Sequence, residues 1–451
     1  MKLAIIGTGY VGLVTGACFA DLGNTVICAD NDKGKIDLLN KGGMPIYEPG
    51  LEELVKKNSR DGRLTFTVDI ETAVRSSDVI FICVGTPSRD DGSADLTSIE
   101  KVSRTIAKGL NSYKLIVEKS TVPVETGEWV KRTIDTFKET GQAFDIASNP
   151  EFLREGSAID DFMKPDRVVI GVETEEAEKM LKALYAPLNA KIVVTNIKGA
   201  EIIKHAANSF LATKISFINA VSNICDSVGT DIDAVAEGIG LDPRISRHFL
   251  KAGIGFGGAC FPKDLKAFIH ISESLGHTFD LLKEVDKINE AQKELAIRKI
   301  RKMLWNLQDK VIGVWGLAFK PDTDDIRSAP SIDIIKRLLS EGANVKAFDP
   351  AAMEKSKKEL AGRIVYCEDV YETAREADCV VLMTEWNEFK EIDWARVKES
   401  MKQPVVFDGR NIYDPAKLRS MGFRYAGVGR GDVEFCPSES KMRRAVEQSK
   451  V

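Results

Sequence analysis

Short apolar runs alternate with longer mixed stretches through the first third of the chain, the pattern of repeated strand–helix units. Leu3-Ala4-Ile5-Ile6 reads as a strand that breaks into Gly7-Thr8-Gly9-Tyr10-Val11-Gly12. A helical stretch follows with Leu13, Val14, Ala17, Phe19 and Ala20 available for burial, and after Gly23 a second strand, 25–29, ends at Asp30. Further apolar strands are predicted at 77–84, 114–119 and 144–148. Their ends place Thr86, Thr121, Glu151 and Glu155 at the carboxyl edge of the sheet, where doubly wound folds bind ligands, although each is equally a turn or cap residue.

Near residue 200 the pattern changes to one long helix, apolar almost all round and running to about 228, which suits a buried connector or a dimer helix. Lys204 and Asn208 share one of its faces at i and i+4, and a lysine there is costly unless it faces a site or an acid. His205 reads as structural. Helices at 232–240 and 279–308 bracket a glycine-rich loop. From Val311 the α/β pattern returns: a strand at 311–317, a helix at 331–339, a segment 341–349 echoing 22–30, and 377–383 echoing 77–84. This second copy lacks G-x-G-x-x-G at its first turn. The expected fold is α/β, with two Rossmann-like doubly wound domains joined by a central long-helix segment. The boundaries fall at 1–199, 200–308 and 309–430, and a mobile polar tail occupies 431–451.

Composition narrows the function. The 451 residues exceed one core, and 43% hydrophobic with 29% charged residues is ordinary for a globular protein. A net charge of -5 argues against nucleic acid or an anionic membrane as partner. No apolar run reaches membrane-spanning length, and the apolar start breaks at once into glycines rather than forming a secretory signal, so a cytoplasmic location is expected. Eight scattered cysteines without C-x-x-C fit reduced thiols, and the four histidines show no metal spacing.

Two motifs carry chemistry. The first is the dinucleotide fingerprint in its full context of strand, G-x-G-x-x-G, helix, strand and acid. Gly7 makes the tight turn, Gly9 lets a pyrophosphate approach, and Gly12 lets helix and strand pack. Asp30 is placed to accept from ribose hydroxyls and to repel a 2′-phosphate, which favours NAD over NADP. The second is Gly255-Phe256-Gly257-Gly258-Ala259-Cys260-Phe261-Pro262-Lys263-Asp264, which delivers one thiol, a lysine and an acid into a close-approach loop. Its bland alternative is an inert buried cysteine.

Taken together, the fingerprint, the Glu151 loop, Lys204 with Asn208 and the cysteine loop resemble the UDP-glucose/GDP-mannose dehydrogenase family over roughly residues 1–430. The resemblance implies an N-terminal NAD domain, a central dimerisation segment carrying the catalytic cysteine, and a C-terminal domain binding the nucleotide sugar. It implies a four-electron oxidation of a primary alcohol to a carboxylate with two NAD, through a thiohemiacetal and a thioester on Cys260. Catalytic positions carried over are Cys260, Lys204, Asn208, Asp264, Thr121 and Glu151, with the proton transfers not divided among Lys204, Asp264 and Glu151. NAD positions are Gly7, Gly9, Tyr10, Val11, Gly12, Asp30, Lys35, Thr86, Thr121, Glu155, Lys263 and Arg327. Substrate positions are Glu151, Phe152, Leu153, Arg154, Glu155, Lys204, Asn208, Phe249, Leu250, Lys251, Ala252, Gly253, Gly257 and Lys320, with Arg244 reaching across a homodimer. UDP-glucose is the expected substrate, and GDP-mannose or a UDP-N-acetylhexosamine the alternatives. An inactive NAD-binding regulator is the alternative of another kind. A two-electron hydroxyacid dehydrogenase would share the glycine-rich start but would need no thiol.

Overall fold

The structure is a computed structural model and describes residues 1–139 and 141–431, so the tail expected to be mobile lies outside it from residue 432. Contacts divide the chain into two units. One comprises Met1–Ser209 with Lys263–Phe279; the other comprises Phe210–Pro262 with the described residues from Asp280 on. Contacts therefore group the residues differently from chain order, since 263–279 belong with the first unit.

The first unit is built on eight strands: β1 (Lys2–Ile6), β2 (Thr25–Ala29), β3 (Leu64–Thr67), β4 (Val79–Ile82), β5 (Lys114–Glu118), β6 (Phe144–Ser148), β7 (Val168–Val172) and β8 (Ile192–Thr195). Their order is β3-β2-β1-β4-β5-β6-β7-β8, parallel except where β6 meets β7. The first six follow the doubly wound dinucleotide order, whose switch point lies between β1 and β4. Because side chains alternate along a strand, Leu3, Ile5, Val79 and Phe81 enter one core, and Ala4, Ile6, Ile80 and Ile82 enter another on the opposite face. Both faces are buried, which is why these strands read as unbroken apolar runs.

The second unit holds six parallel strands: β9 (Val311–Trp315), β10 (Asn344–Phe348), β11 (Val365–Tyr366), β12 (Cys379–Leu382), β13 (Val405–Asp408) and β14 (Arg424–Gly427). Their order, β11-β10-β9-β12-β13-β14, repeats that of the first six strands. The two long helices are Ile197–Val228, which begins slightly before the stretch its pattern predicts, and Asp280–Leu304, which stops short of residue 308. Among the described residues no helix is long and apolar enough to cross a membrane, and no cluster of three or more ligating side chains could hold a metal.

Candidate active site

In the first unit the glycine turn leaves β1 with Gly7 at φ +103°, where an added Cβ would lie 2.6 Å from the Cys83 carbonyl oxygen. At Gly12 a Cβ would lie 1.9 Å from the Gly7 carbonyl oxygen, so this residue is what lets helix Tyr10–Asp21 pack on the strand. Gly9 differs: a Cβ there would meet no described residue beyond its chain neighbours within 4 Å. It heads a helix that has no side-chain cap and no acid in its first turn. Orphan N–H groups and open space at a helix N-terminus fit an anionic phosphate.

Asp30, at the end of β2, accepts from the Thr8 N–H at 2.7 Å and the Thr8 hydroxyl at 2.8 Å on one oxygen, and from the Asp32 N–H on the other. Burial works to raise its pKa, but those donors and Lys35, 3.9 Å away, outweigh it and leave the carboxyl below its ordinary value. The acid is thus held ionised beside the turn, and these residues fit the dinucleotide they were expected to bind. Tyr10 is aimed elsewhere: its hydroxyl accepts from the Gly156 N–H at 2.8 Å, tying the first turn to the Glu151 segment.

The catalytic candidates of this unit form a buried row of alternating charge. The Lys204 ammonium is 3.0 Å from the Glu151 carboxylate, and both side chains are about 95% buried (4% and 5% exposed). The other Glu151 oxygen accepts from the Leu153 N–H at 2.6 Å. One helical turn after Lys204, the Asn208 amide donates to Asp264 at 2.6 Å, and Lys263 lies 2.7 Å from the same carboxylate. Burial would raise the Asp264 pKa; Lys263, Lys204 and His205 outweigh it and lower it. Lys263 and Asp264 stand in the first turn of helix Phe261–Ser274 rather than in the loop that precedes it. His205 donates from Nε2 to the Val122 carbonyl at 2.8 Å, which fixes the segment after Thr121. The Thr86 hydroxyl donates to the Thr121 carbonyl at 2.8 Å and sits 3.5 Å from the Lys263 ammonium. Arg154 is exposed and chelated by Asp161, while Phe152 stacks its ring beneath Arg167.

The second unit carries the cysteine loop. Cys260 is exposed and immediately precedes helix Phe261–Ser274, whose N-terminus favours negative charge. The loop before it is held by side chains that sequence reasoning did not single out. Asn289 clasps Phe256, accepting from its N–H at 2.8 Å and donating to its carbonyl at 3.0 Å. Asn219 accepts from the Gly253 N–H, Gln292 donates to the Gly253 carbonyl, and Arg410 donates to the Gly255 carbonyl. Gly257 is required because a Cβ would sit 2.2 Å from the Ser328 carbonyl oxygen, and Gly258, at φ +86°, lies against the Phe319 ring. Phe249 adopts φ 63° and its ring lies 6.3 Å from Phe261; Leu250 and Ala252 are buried, and Lys251 is exposed. Lys320 lies over the Phe319 ring, Arg327 is chelated by Asp325, and Arg244 is exposed and chelated by Asp242.

Comparison with known proteins finds one family along the chain. Models of the UDP-glucose/GDP-mannose dehydrogenase family match residues 1–189 as its NAD binding domain, 198–291 as its central domain and 313–415 as its UDP binding domain. UDP-glucose 6-dehydrogenase TuaD of Bacillus subtilis is 49% identical over 96% of this chain and 94% of its own. The solved UDP-glucose dehydrogenase of Pyrobaculum islandicum is 41% identical at TM-score 0.89, covering 95% of this chain and 97% of its own. The UDP-D-ManNAc dehydrogenase of Pyrococcus horikoshii is 28% identical at TM-score 0.85, covering 96% and 100%. The chain belongs to the UDP-glucose/GDP-mannose dehydrogenase family, and its cofactor is NAD.

Proposed function

We propose that this chain oxidises UDP-glucose to UDP-glucuronate, consuming two NAD and one water, with Cys260 as the covalent nucleophile. The observation that carries the reading is the buried row Glu151, Lys204, Asn208 and Asp264, assembled in a chain 49% identical to a UDP-glucose 6-dehydrogenase. Bound NAD supplies the hydride acceptor. The chain's own residues do the rest. Loss of a hydride and a proton from the C6 alcohol leaves an aldehyde, to which the Cys260 sulfur adds, forming a C–S bond and an oxyanion.

Lys204 and Asn208 are the donors for that oxyanion. Lys204 pairs with Glu151 and the Asn208 amide donates to Asp264, so both donors are held one helical turn apart on one helix face. The thiohemiacetal then loses the second hydride and its hydroxyl proton to become a thioester. Water adds to the thioester, the C–S bond breaks, and Cys260 leaves as thiolate. Asp264 with Thr121 positions that water, and Glu151 takes its proton. A nucleophilic thiol needs a reducing compartment, so a cytoplasmic location is part of this reading.

The homodimer belongs here too. Helix Ile197–Val228 exposes Phe210, Phe217, Ile224 and Val228, each more than half exposed and spaced so that they share one face. Such a stripe is the surface a second copy would cover, with Arg244 presented nearby in sequence. Sedimentation at twice the chain mass, lost on Phe217→Lys, is the expected result.

The reaction is tested by NADH yield. Limiting UDP-glucose with excess NAD should give about two NADH per sugar nucleotide, and Cys260→Ser should lose net formation of the acid by at least about a thousandfold. A yield of one would end the thioester route, and no turnover would end the substrate assignment.

A further inference from the structure

Lys119, the residue following β5, takes no part in the chemistry above and yet is among the most deeply buried charges in the first unit, 4% exposed. Its ammonium donates to Asn149 Oδ1 at 3.0 Å and approaches the Asn149 carbonyl and the Tyr185 hydroxyl at 3.4 Å. All three are neutral acceptors, and no carboxylate lies within ion-pair distance of it among the described residues. A buried ammonium without a carboxylate in contact is unfavourable, and the fold keeps it beside Pro150 and Glu151, with which it lines one small cavity of about 40 Å³.

The groups that face Lys119 are Cys83, Tyr185, Glu151 and Lys204. Burial pushes the Cys83 thiol up to about 12 and raises Tyr185 well above its ordinary value, so both are neutral near pH 7. Glu118, the preceding residue, is pushed far above the carboxylate range by burial and is neutral as well. The carboxyl group that faces Lys119 is that of Glu151, the partner of Lys204. We propose that Lys119 is a positioning residue for the reaction: through Asn149 it fixes the Glu151 loop, and its charge adds to that of Lys204 beside the Glu151 carboxylate. The row then reads Lys119⁺, Glu151⁻, Lys204⁺, Asp264⁻, Lys263⁺, with a net positive charge that favours an oxyanion at its centre.

The inference rests on the assignment of Glu151 and Lys204 to the reaction, and pH profiles of kcat separate the two. Burial lowers Lys119 to about 8, so the wild-type profile should fall on its alkaline side as that proton leaves. Lys119→Met removes one of two cations facing Glu151. Without that ammonium the alkaline fall should disappear, with kcat at neutral pH lowered about tenfold and KM for NAD and UDP-glucose within about twofold of wild type. Lys119→Arg stays charged throughout, so it should keep kcat near wild type at neutral pH and lose the alkaline limb. Should the methionine variant not fold, the arginine variant decides alone. Profiles whose alkaline limb superimposes on wild type overturn the proposal even where kcat or thermal stability falls, because a structural role would lower both without moving that limb. A Glu151→Gln enzyme that keeps the wild-type kcat instead overturns the Glu151 assignment, and this inference with it.

Discussion

At the end of β1, Gly7 turns the chain at φ +103° and a helix begins at Tyr10; at the end of β9, Gly316 makes the same turn at φ +95°, yet its helix begins only at Pro330. Both glycines are forced by a close neighbour from the next strand's end, Cys83 in one case and Thr384 in the other. The two copies part company downstream of the turn. After Gly7 the helix N-terminus is open at Gly9. After Gly316 the inserted loop folds back, and Gly257 of the cysteine loop packs against Ser328 and Pro330 at the head of that helix. One copy of the fold keeps its anion-binding end for a ligand, and the other closes it with its own backbone to support the loop that bears Cys260.

The acids at the ends of the second strands differ in the same sense. Asp349 is 1% exposed, and its two oxygens accept from the N–H groups of Leu317, Ala318, Ala351 and Ala352 and from the Trp386 indole. Nothing is left for a ribose. Among the described residues Asp30 accepts only from Thr8 and Asp32. Asp349→Asn turns an amide N–H₂ toward those donors and should cost about 3 kcal/mol in urea unfolding, with NAD affinity unchanged. Asp30→Asn should have the smaller stability effect but raise the Kd for NAD about tenfold, while NADP loses less because its 2′-phosphate no longer meets a carboxylate. If Asp349→Asn weakened NAD and Asp30→Asn did not, the contrast between the copies would collapse.

Much of this was legible in the sequence because it is local. The fingerprint, the buried strands and the cysteine loop are each written in a dozen consecutive residues, and the echo of 22–30 in 341–349 announced the repeat of strand order. What stayed hidden is assembled from distant positions. Lys119, Asn149 and Tyr185 meet only because β5, β6 and helix Glu175–Tyr185 pack together. Asn219, Asn289 and Gln292 sit on helices whose apolar spacing drew the eye, and their amides reach loop backbone that no spacing rule connects to them. Nor did sequence indicate that the first sheet would extend past the doubly wound pattern by an antiparallel step from β6 to β7. Glycine-rich segments gave away where backbone comes close, but not which backbone comes close to them.

The sharpest remaining contrast is between two single methyl groups. Gly316→Ala places a Cβ 2.4 Å from the Thr384 Cβ at a positive φ, so it should destabilise the protein by about 2 kcal/mol with or without NAD. Gly9→Ala adds its methyl at φ −75°, an ordinary conformation, where no described residue beyond its chain neighbours lies within 4 Å. The unliganded variant should melt within about a degree of wild type, since a substitution that meets no neighbour changes stability little. Only a ligand brought to the helix N-terminus can feel that methyl, so the Kd for NAD should rise about fivefold, the loss expected when one close backbone approach is pushed outward. A Gly9→Ala enzyme that binds NAD as tightly as wild type would mean that the pyrophosphate does not come to this turn. The open N-terminus would then be as structural as the closed one.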